Sequence, residues 1–267
     1  MPSKIAAVET PPLWFLAARF LAAGVILALI ALALRKPAPL GWKGWLVAGG
    51  LGILANALYL GLTYTAMEHL SAGLGAIVAS TNPLVLALVA PSLLGERLTP
   101  LKAAGLVLGF GGVVLLVAVR HGAGSALPAD AAIAFCGVLS SVASTLLFKR
   151  FAAGQSLLAI TAIQMLAAGL AMIPAAWLVS GFPLVLSISP ELGASFVYLV
   201  LVLSVGASLI WFWLLRHGEA SRVSAYYYLT PIFGLALSAL LLHEPVGWHD
   251  LFGLAAIAGG IALVQRA

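Results

Sequence analysis

The chain has 267 residues, of which 63% are apolar and only 8% are charged. An ordinary soluble domain is about 25% charged, so this composition excludes a water-soluble globular fold. The net charge of +5 does not indicate nucleic acid binding, because the basic residues stand singly or in pairs between long apolar runs. The single cysteine, Cys136, excludes an intrachain disulfide and a cysteine-based metal site.

Nine apolar runs are long enough to cross a bilayer, which takes about 20 residues of helix. Long unbroken runs of this kind predict helices rather than barrel strands, because each helix satisfies its own backbone hydrogen bonds. The connections are short, so successive helices should run antiparallel. The predicted spans are Pro12–Leu34, Trp45–Met67, Gly73–Leu94, Leu101–Val119, Ala131–Phe148, Leu157–Val179, Ala194–Leu215, Ser224–Leu242 and Asp250–Val264.

The distribution of lysine and arginine predicts the orientation of these spans. Ten of the thirteen basic residues fall on one set of alternating loops, which should be cytoplasmic. The C-terminus lies on that side. Of the other three basic residues, Lys4 and Arg120 fall on the opposite side, and Arg19 falls inside the first span. We expect Arg19 to have a structural role and to extend toward the membrane surface. Binding of an anion is the alternative role.

The chain repeats itself, with residues 1–120 as one copy and residues 127–267 as the other. An offset of 148 places Pro83 on Pro231 and Glu96 on Glu244, and it also aligns two sets of glycines. Further upstream, an offset of 145 places Leu21-Ala-Ala-Gly24 on Leu166-Ala-Ala-Gly169. The glycines aligned by the offset of 148 are Gly105 on Gly253 and Gly111–Gly112 on Gly259–Gly260.

The two copies should be inverted relative to each other. Lys4 falls outside by the charge rule, whereas its equivalent Lys149 falls inside. Five helices per copy produce this inversion, which is common among secondary transporters. The second copy starts with a helix that has no counterpart before Lys4, so we expect an intact protein of ten spans. A natural protein of nine spans is the alternative.

With these motifs, the chain resembles the EamA-type members of the drug/metabolite transporter superfamily. The matching segments of the first copy are Thr81-Asn-Pro83, Gly95-Glu-Arg-Leu-Thr99 and Gly105 through Gly112. Those of the second copy are Leu229-Thr-Pro231, His243-Glu-Pro245 and Gly253 through Gly260. The resemblance implies a ten-helix transporter in the inner membrane that uses alternating access around a central cavity. It also implies substrates such as amino acids, small metabolites or drugs, usually exported.

Polar residues inside the spans are candidates for the lining of this cavity, since such side chains tend to face the protein interior. Asn56, Tyr59 and Thr63 have the spacing of one α-helical face. At the equivalent helix of the second copy, Ser204, Ser208 and Trp211 form a similar stripe. Hydrogen bonding between helices is the alternative explanation. Further candidates are Ser80, Asn82, Ser141, Thr145 and Tyr228.

Pro83 and Pro231 are candidate hinges, because a proline within a helix removes one backbone hydrogen bond. A static kink is the alternative. Glu96 follows the end of a span and precedes Thr99-Pro100, so we expect it to cap or tie loops rather than to carry protons.

The predicted function is transport of a small neutral or zwitterionic solute, with no cofactor or metal. Only Arg19 and Lys149 are basic residues close to the predicted cavity, which disfavours an anionic phosphate ester. The histidines lie near helix ends, and no motif of a membrane enzyme is present. A membrane-embedded enzyme or a helical scaffold without transport activity is the alternative function. The sequence leaves open a monomer or a homodimer.

Overall fold

The structure, a computed structural model, describes residues 10–39, 41–66, 70, 72–121, 128–181, 189–242 and 247–267. Within these ranges the regular secondary structure is helical. The α-helices of the first copy are α1 (Pro12–Ala33), α2 (Gly41–Gly52), α3 (Tyr59–Ala66), α4 (Ala72–Ala79), α5 (Asn82–Leu94) and α6 (Pro100–His121). Those of the second copy are α7 (Pro128–Leu147), α8 (Leu157–Ser180), α9 (Pro190–Tyr198), α10 (Ser208–His217), α11 (Ala220–Ser224), α12 (Leu229–Leu242) and α13 (Trp248–Arg266).

Eight helical stretches in the described part of the chain are long and apolar enough to cross a membrane. Three of them each contain two successive α-helices: Gly41–Ala66, Leu74–Leu94 and Pro190–His217. The eight stretches agree with eight of the nine predicted spans. The prediction of one helix over Ser224–Leu242 is wrong in detail, because this segment consists of α11, a 3-10 turn (Ala225–Tyr228) and α12.

A proline explains why this segment is interrupted. Pro231 has no N–H to donate to the carbonyl of Tyr227, so the α-helical pattern ends before it. Pro83 likewise cannot donate to Ala79, and there the break falls between α4 and α5. Both prolines lie in the first turn of the helix that follows, where a missing N–H costs little. The interruption therefore precedes each proline and lies at equivalent positions of the two copies.

The described chain contains three π-helical segments, which the spacing argument missed. Phe148–Ala152 follows α7, and the other two lie at equivalent positions of the two copies. Ile53–Leu58 joins α2 to α3, and Leu199–Ala207 joins α9 to α10. The offset of 148 places the first segment within the second. A π-helix has a wider turn than an α-helix. The α-helical stripe assumed for Asn56, Tyr59 and Thr63 therefore does not continue through Asn56.

The chain divides into two compact units, each built from both copies. The first unit contains the described residues up to Gly61 together with Ala143–His217. The second unit contains the described residues of Leu62–Val142 and Gly218–Ala267. Each unit therefore combines helices from both sequence copies, and the boundary between the units does not coincide with the boundary between the copies.

In the first unit, α1 crosses its own counterpart, α8. A Cβ on Gly24 would lie 2.7 Å from Leu166 Cγ, and a Cβ on Gly169 would lie 2.7 Å from Leu21 Cγ. The small residue of each helix thus receives the leucine of the other. Since residue 21 is opposite 169 and residue 24 is opposite 166, the two helices run antiparallel.

The second unit contains the same kind of crossing between α6 and α13. A Cβ on Gly105 would lie 2.7 Å from Gly260 O, and one on Gly253 would lie 3.2 Å from Gly112 O. Glycine at these positions lets the two backbones approach closely. Here too the equivalent helices are antiparallel. The predicted inversion of the two copies is therefore confirmed by the direction of their helices.

Candidate functional site

A buried hydrogen bond links Arg19 of α1 to Ser204 in the π segment Leu199–Ala207. Arg19 Nε donates to Ser204 Oγ over 2.7 Å, and the two residues are 6% and 1% exposed. The guanidinium also lies 5.3 Å from the ring centre of Phe20. The expectation that Arg19 extends to the membrane surface is wrong, because its polar end turns toward Ser204.

The equivalent π segment of the first copy, Ile53–Leu58, makes the corresponding contact without a charge. Asn56 is the counterpart of Ser204, and its Nδ2 donates to Met165 Sδ over 3.9 Å. Met165 follows Gln164, which is the counterpart of Arg19. Each of these two π segments thus contacts a helix of the other copy at an equivalent position. The first unit carries a cation at one of these two places and a carboxamide at the other.

Helix α8 carries two further buried polar residues that the sequence argument did not select. Thr161 is fully buried and Gln164 is 2% exposed. Thr161 Oγ1 and Gln164 Oε1 have no hydrogen-bond partner within the described ranges. An unpartnered buried oxygen costs about 1–3 kcal/mol. The spacing of three residues in an apolar helix was the available signal for this polar face.

The remaining candidates of the first unit differ in how far they are buried. Tyr59, Ser208 and Trp211 are half-buried, whereas Thr145 is buried. Lys149 Nζ donates to the carbonyl of Leu215 near the end of α10, over 3.0 Å.

In the second unit, three polar side chains meet where both broken helices are interrupted. Asn82 Nδ2 donates to Ser141 Oγ over 3.1 Å. The hydroxyl of Tyr227, in the 3-10 turn, shares a further hydrogen bond with Ser141. Asn82 is 3% exposed, and its Oδ1 has no hydrogen-bond partner in the described part of the chain. We call Asn82, Ser141 and Tyr227 the Asn82 cluster.

Two of the sequence candidates nearby serve the backbone instead. Ser80 Oγ donates to Ala76 O over 2.7 Å, which completes the last turn of α4. Tyr228 is fully buried, and its hydroxyl donates to Leu106 O over 3.1 Å. Its ring lies where a Cβ on Gly109 would approach within 2.7 Å. Tyr228 therefore packs against α6, whereas the hydroxyl of its neighbour Tyr227 reaches Ser141.

Thr63, Pro83 and Pro231 complete the candidates of the second unit. Thr63 and Pro231 are half-buried, and Pro83 is buried.

One end of the second unit is held by charged groups. Glu96 accepts hydrogen bonds from Ala220 N at 2.5 Å, Ser221 N at 3.1 Å and Ser221 Oγ at 2.6 Å. The carboxylate therefore caps the N-terminus of α11, as expected from the sequence. Its repeat equivalent, Glu244, lies outside the described residues, as do Lys4 and His69.

A buried lysine lies next to this cap. Lys102 is 2% exposed, and its Nζ donates to Glu219 Oε2 over 2.8 Å. This hydrogen bond holds the pKa of the Glu219 carboxyl below its ordinary value of 4.5. Arg222 also pairs with Glu219, over 3.0 Å. These charged groups pair with other groups of the same chain. They therefore stabilise the loop structure rather than offer an open site.

Comparisons with known proteins place the chain among membrane transporters. The family model described as "EamA-like transporter family" matches residues 1–118 and 130–266. The uncharacterized transporter YvbV of Bacillus subtilis is 28% identical over 98% of this chain and 85% of its own length. Protein PecM of Dickeya dadantii is 27% identical over 92% and 80%, respectively. The uncharacterized inner membrane transporter YedA of Escherichia coli is 29% identical over 98% and 84%.

The fold also has a match among solved structures. One crystal structure of a protein superposes with a TM-score of 0.81 over 99% of this chain and 90% of the other. The sequence identity is 22%, so this match supports the fold.

Proposed function

Because the chain belongs to the EamA-like transporter family, we propose that this multi-pass membrane transporter moves a small neutral or zwitterionic solute by alternating access. An amino acid or a related metabolite is the proposed solute, and export is the proposed direction. The protein would lie in the inner membrane with its C-terminus in the cytoplasm, and it would act as a monomer or homodimer.

One observation carries this proposal: polar residues lie where the helices are interrupted, and they do so in both copies. Asn56 and Ser204 lie in equivalent π segments, and Asn82 and Tyr227 adjoin equivalent breaks. Irregular backbone at membrane depth is tolerated where it is buried in protein or lines a water-filled cavity. Broken helices in inverted repeats commonly form the substrate sites of secondary transporters.

The chemistry of these positions favours a solute with little net charge. The groups are carboxamides, hydroxyls and one guanidinium that already donates to Ser204. Trp211 and Tyr59 add half-buried aromatic surface, which suits a solute with an apolar side chain. In the proposed cycle, the interruptions beside Pro83 and Pro231 act as hinges.

Uptake by proteoliposomes tests the proposal. The purified chain would be reconstituted and supplied with labelled alanine, leucine, phenylalanine and a set of small metabolites. We expect saturable uptake that falls about tenfold in Asn56→Ala and Trp211→Ala, the loss that follows from about 1.4 kcal/mol of binding energy. Trp213→Ala is the matched control, because Trp213 lies two residues after Trp211 and its side chain is 52% exposed.

The outcomes separate the parts of the proposal. If the folded protein moves none of these solutes, the proposed solute class is wrong. If uptake occurs but all three variants behave alike, the assignment of Asn56 and Trp211 to the site is wrong. A cysteine added after Ala267 in a Cys136→Ala background, labelled from either side of the membrane, tests the orientation.

A further inference from the structure

Resting on the proposed function, we infer that the Asn82 cluster binds the amino group of the solute and that Asn82 Oδ1 is its hydrogen-bond acceptor. Asn82 opens α5, Ser141 belongs to α7, and Tyr227 lies in the 3-10 turn before α12. The cluster thus joins three elements, two of which are the broken helices of opposite copies.

The hydrogen bonds within the cluster leave one atom for a ligand. Asn82 Nδ2 is used by Ser141, whose Oγ lies 3.1 Å away. Ser141 is in turn hydrogen-bonded to Tyr227. Asn82 Oδ1 remains, buried and without a hydrogen-bond partner in the ranges that the structure describes. Because Ser141 fixes the amide, this oxygen is held in one orientation.

A carbonyl oxygen accepts hydrogen bonds and cannot donate them. The solute group at this position must therefore be a donor, which excludes the carboxylate end of an amino acid. An ammonium group has three donors and a full charge, and hydrogen bonds to charged groups are stronger than neutral ones. The half-buried aromatic ring of Tyr227 adds a surface that attracts cations.

The nearby hydroxyls do not compete for this role. Thr81 Oγ1 donates to Val78 O over 2.6 Å, and Ser80 Oγ donates to Ala76 O over 2.7 Å. Both hydroxyls complete the end of α4. The polar segment therefore contains one buried acceptor without a partner in the described ranges and two hydroxyls that support the helix.

The location of the cluster gives the amino group an influence on both breaks. Asn82 is the first residue of α5, and Tyr227 lies in the interruption that precedes α12. A donor on Asn82 Oδ1 adds a charge-assisted bond to a network that already spans both segments. Recognition of the amino group and the arrangement of the two interruptions are thus joined through Ser141.

Competition experiments with paired compounds test this inference. Alanine, leucine and phenylalanine would compete against a labelled solute that the wild-type protein moves, next to propionate, 4-methylpentanoate and 3-phenylpropionate, which lack the amino group. We expect the wild type to prefer each amino acid over its partner. Asn82→Leu should lower this preference about tenfold or more and leave the affinity for the carboxylic acids unchanged.

Two further variants sharpen the test. Asn82→Asp replaces the neutral acceptor by a carboxylate, so the preference for the amino group should rise. Thr81→Val is the matched control next to Asn82, and it should retain the wild-type preference because its hydroxyl serves Val78. Size-exclusion chromatography establishes that each variant is folded, and thermal stabilisation by the same compounds measures binding without transport.

Each result decides between the two proposals. Loss of the amino preference in Asn82→Leu together with its increase in Asn82→Asp supports the inference. If the wild type moves amino acids and both variants keep its preference, the inference fails and the proposed function stands. If the wild type neither moves nor binds any amino acid, the proposed function fails and the inference fails with it.

Discussion

The carboxylate of Glu96 offers a direct test of how the second unit is held together. It lies in the connection between α5 and α6, and it accepts three hydrogen bonds from Ala220 and Ser221 at the start of α11. Two of the donors are backbone N–H groups that have no partner within their own helix. Glu96→Ala removes all three bonds and leaves these donors at a helix end without their acceptor.

The expected loss of stability can be worked from these contacts. Removal of an N-cap acceptor costs about 0.5–2 kcal/mol, and hydrogen bonds to a charged group contribute about 1.5–3 kcal/mol each where they are buried. Glu96 is half-buried, so we expect a total of about 2–4 kcal/mol rather than the full sum. For a chain of this size, that corresponds to a decrease in Tm of about 5–10 °C. Glu96→Gln keeps one acceptor oxygen and should lose about half as much.

Thermal unfolding of the detergent-solubilised protein, followed by loss of monodisperse material, measures the effect. Glu191→Ala is the matched control, since Glu191 is an exposed carboxylate in the first turn of α9. Combining Glu96→Ala with Ser221→Ala should lose less than the sum of the two single changes, because both remove the bond between Glu96 and Ser221. The double variant should still lie below Glu96→Ala, since Ser221→Ala also removes an acceptor that lies 3.2 Å from Lys102 Nζ. An equal shift in Glu96→Ala and Glu191→Ala would refute the reasoning, because the cap would then contribute nothing to the folded state.

Three further substitutions test other contacts of the second unit. Gly260→Ala should destabilise the protein by about 1–3 kcal/mol, because its methyl group meets the backbone of α6, whereas Gly111→Ala has nothing within 4 Å and should be neutral in the same unfolding assay. Tyr228→Phe should lower stability by about 1 kcal/mol and leave transport affinity unchanged, since the lost hydroxyl binds only a main-chain carbonyl; a large change in affinity would return this residue to the site. The pair of Lys102 with Glu219 should stabilise the protein above pH 4.5 and lose its effect as the pH falls through the depressed pKa of the carboxyl. Glu219→Gln should therefore lie below the wild type in Tm at pH 7 and approach it as the pH falls through the depressed pKa of Glu219. A difference that does not depend on pH would contradict this assignment.

Much of the fold could be predicted because each element leaves a mark of its own in the sequence. Apolar runs give the spans, and the ordered matches of Pro83, Glu96 and the glycines give the repeat. The glycine matches also have a direct structural meaning, because Gly105 and Gly253 contact the opposite copy at equivalent points of one crossing. The role of Glu96 followed from its place between two helices.

The site was harder to predict, because its geometry depends on departures from the α-helix. The spacing of Asn56, Tyr59 and Thr63 was interpreted with a period of 3.6 residues, which the π segment does not have. The same difficulty applies to consecutive tyrosines, whose directions depend on the kind of turn. Tyr228 packs against α6 and Tyr227 reaches Ser141 because the segment is a 3-10 turn. No pattern in the sequence separates these two residues.

The crossing of α1 and α8 has a consequence for the evolution of the chain. The two contacting segments have identical letters, Leu21-Ala-Ala-Gly24 and Leu166-Ala-Ala-Gly169, and each leucine occupies the space above the other segment's glycine. A contact of this kind is self-complementary, as in a symmetric dimer. One ancestral half-length gene could therefore have produced it from two copies of a single product inserted in opposite directions, before gene fusion joined them. After such a fusion, either glycine gains a larger side chain only if the leucine of the other half becomes smaller.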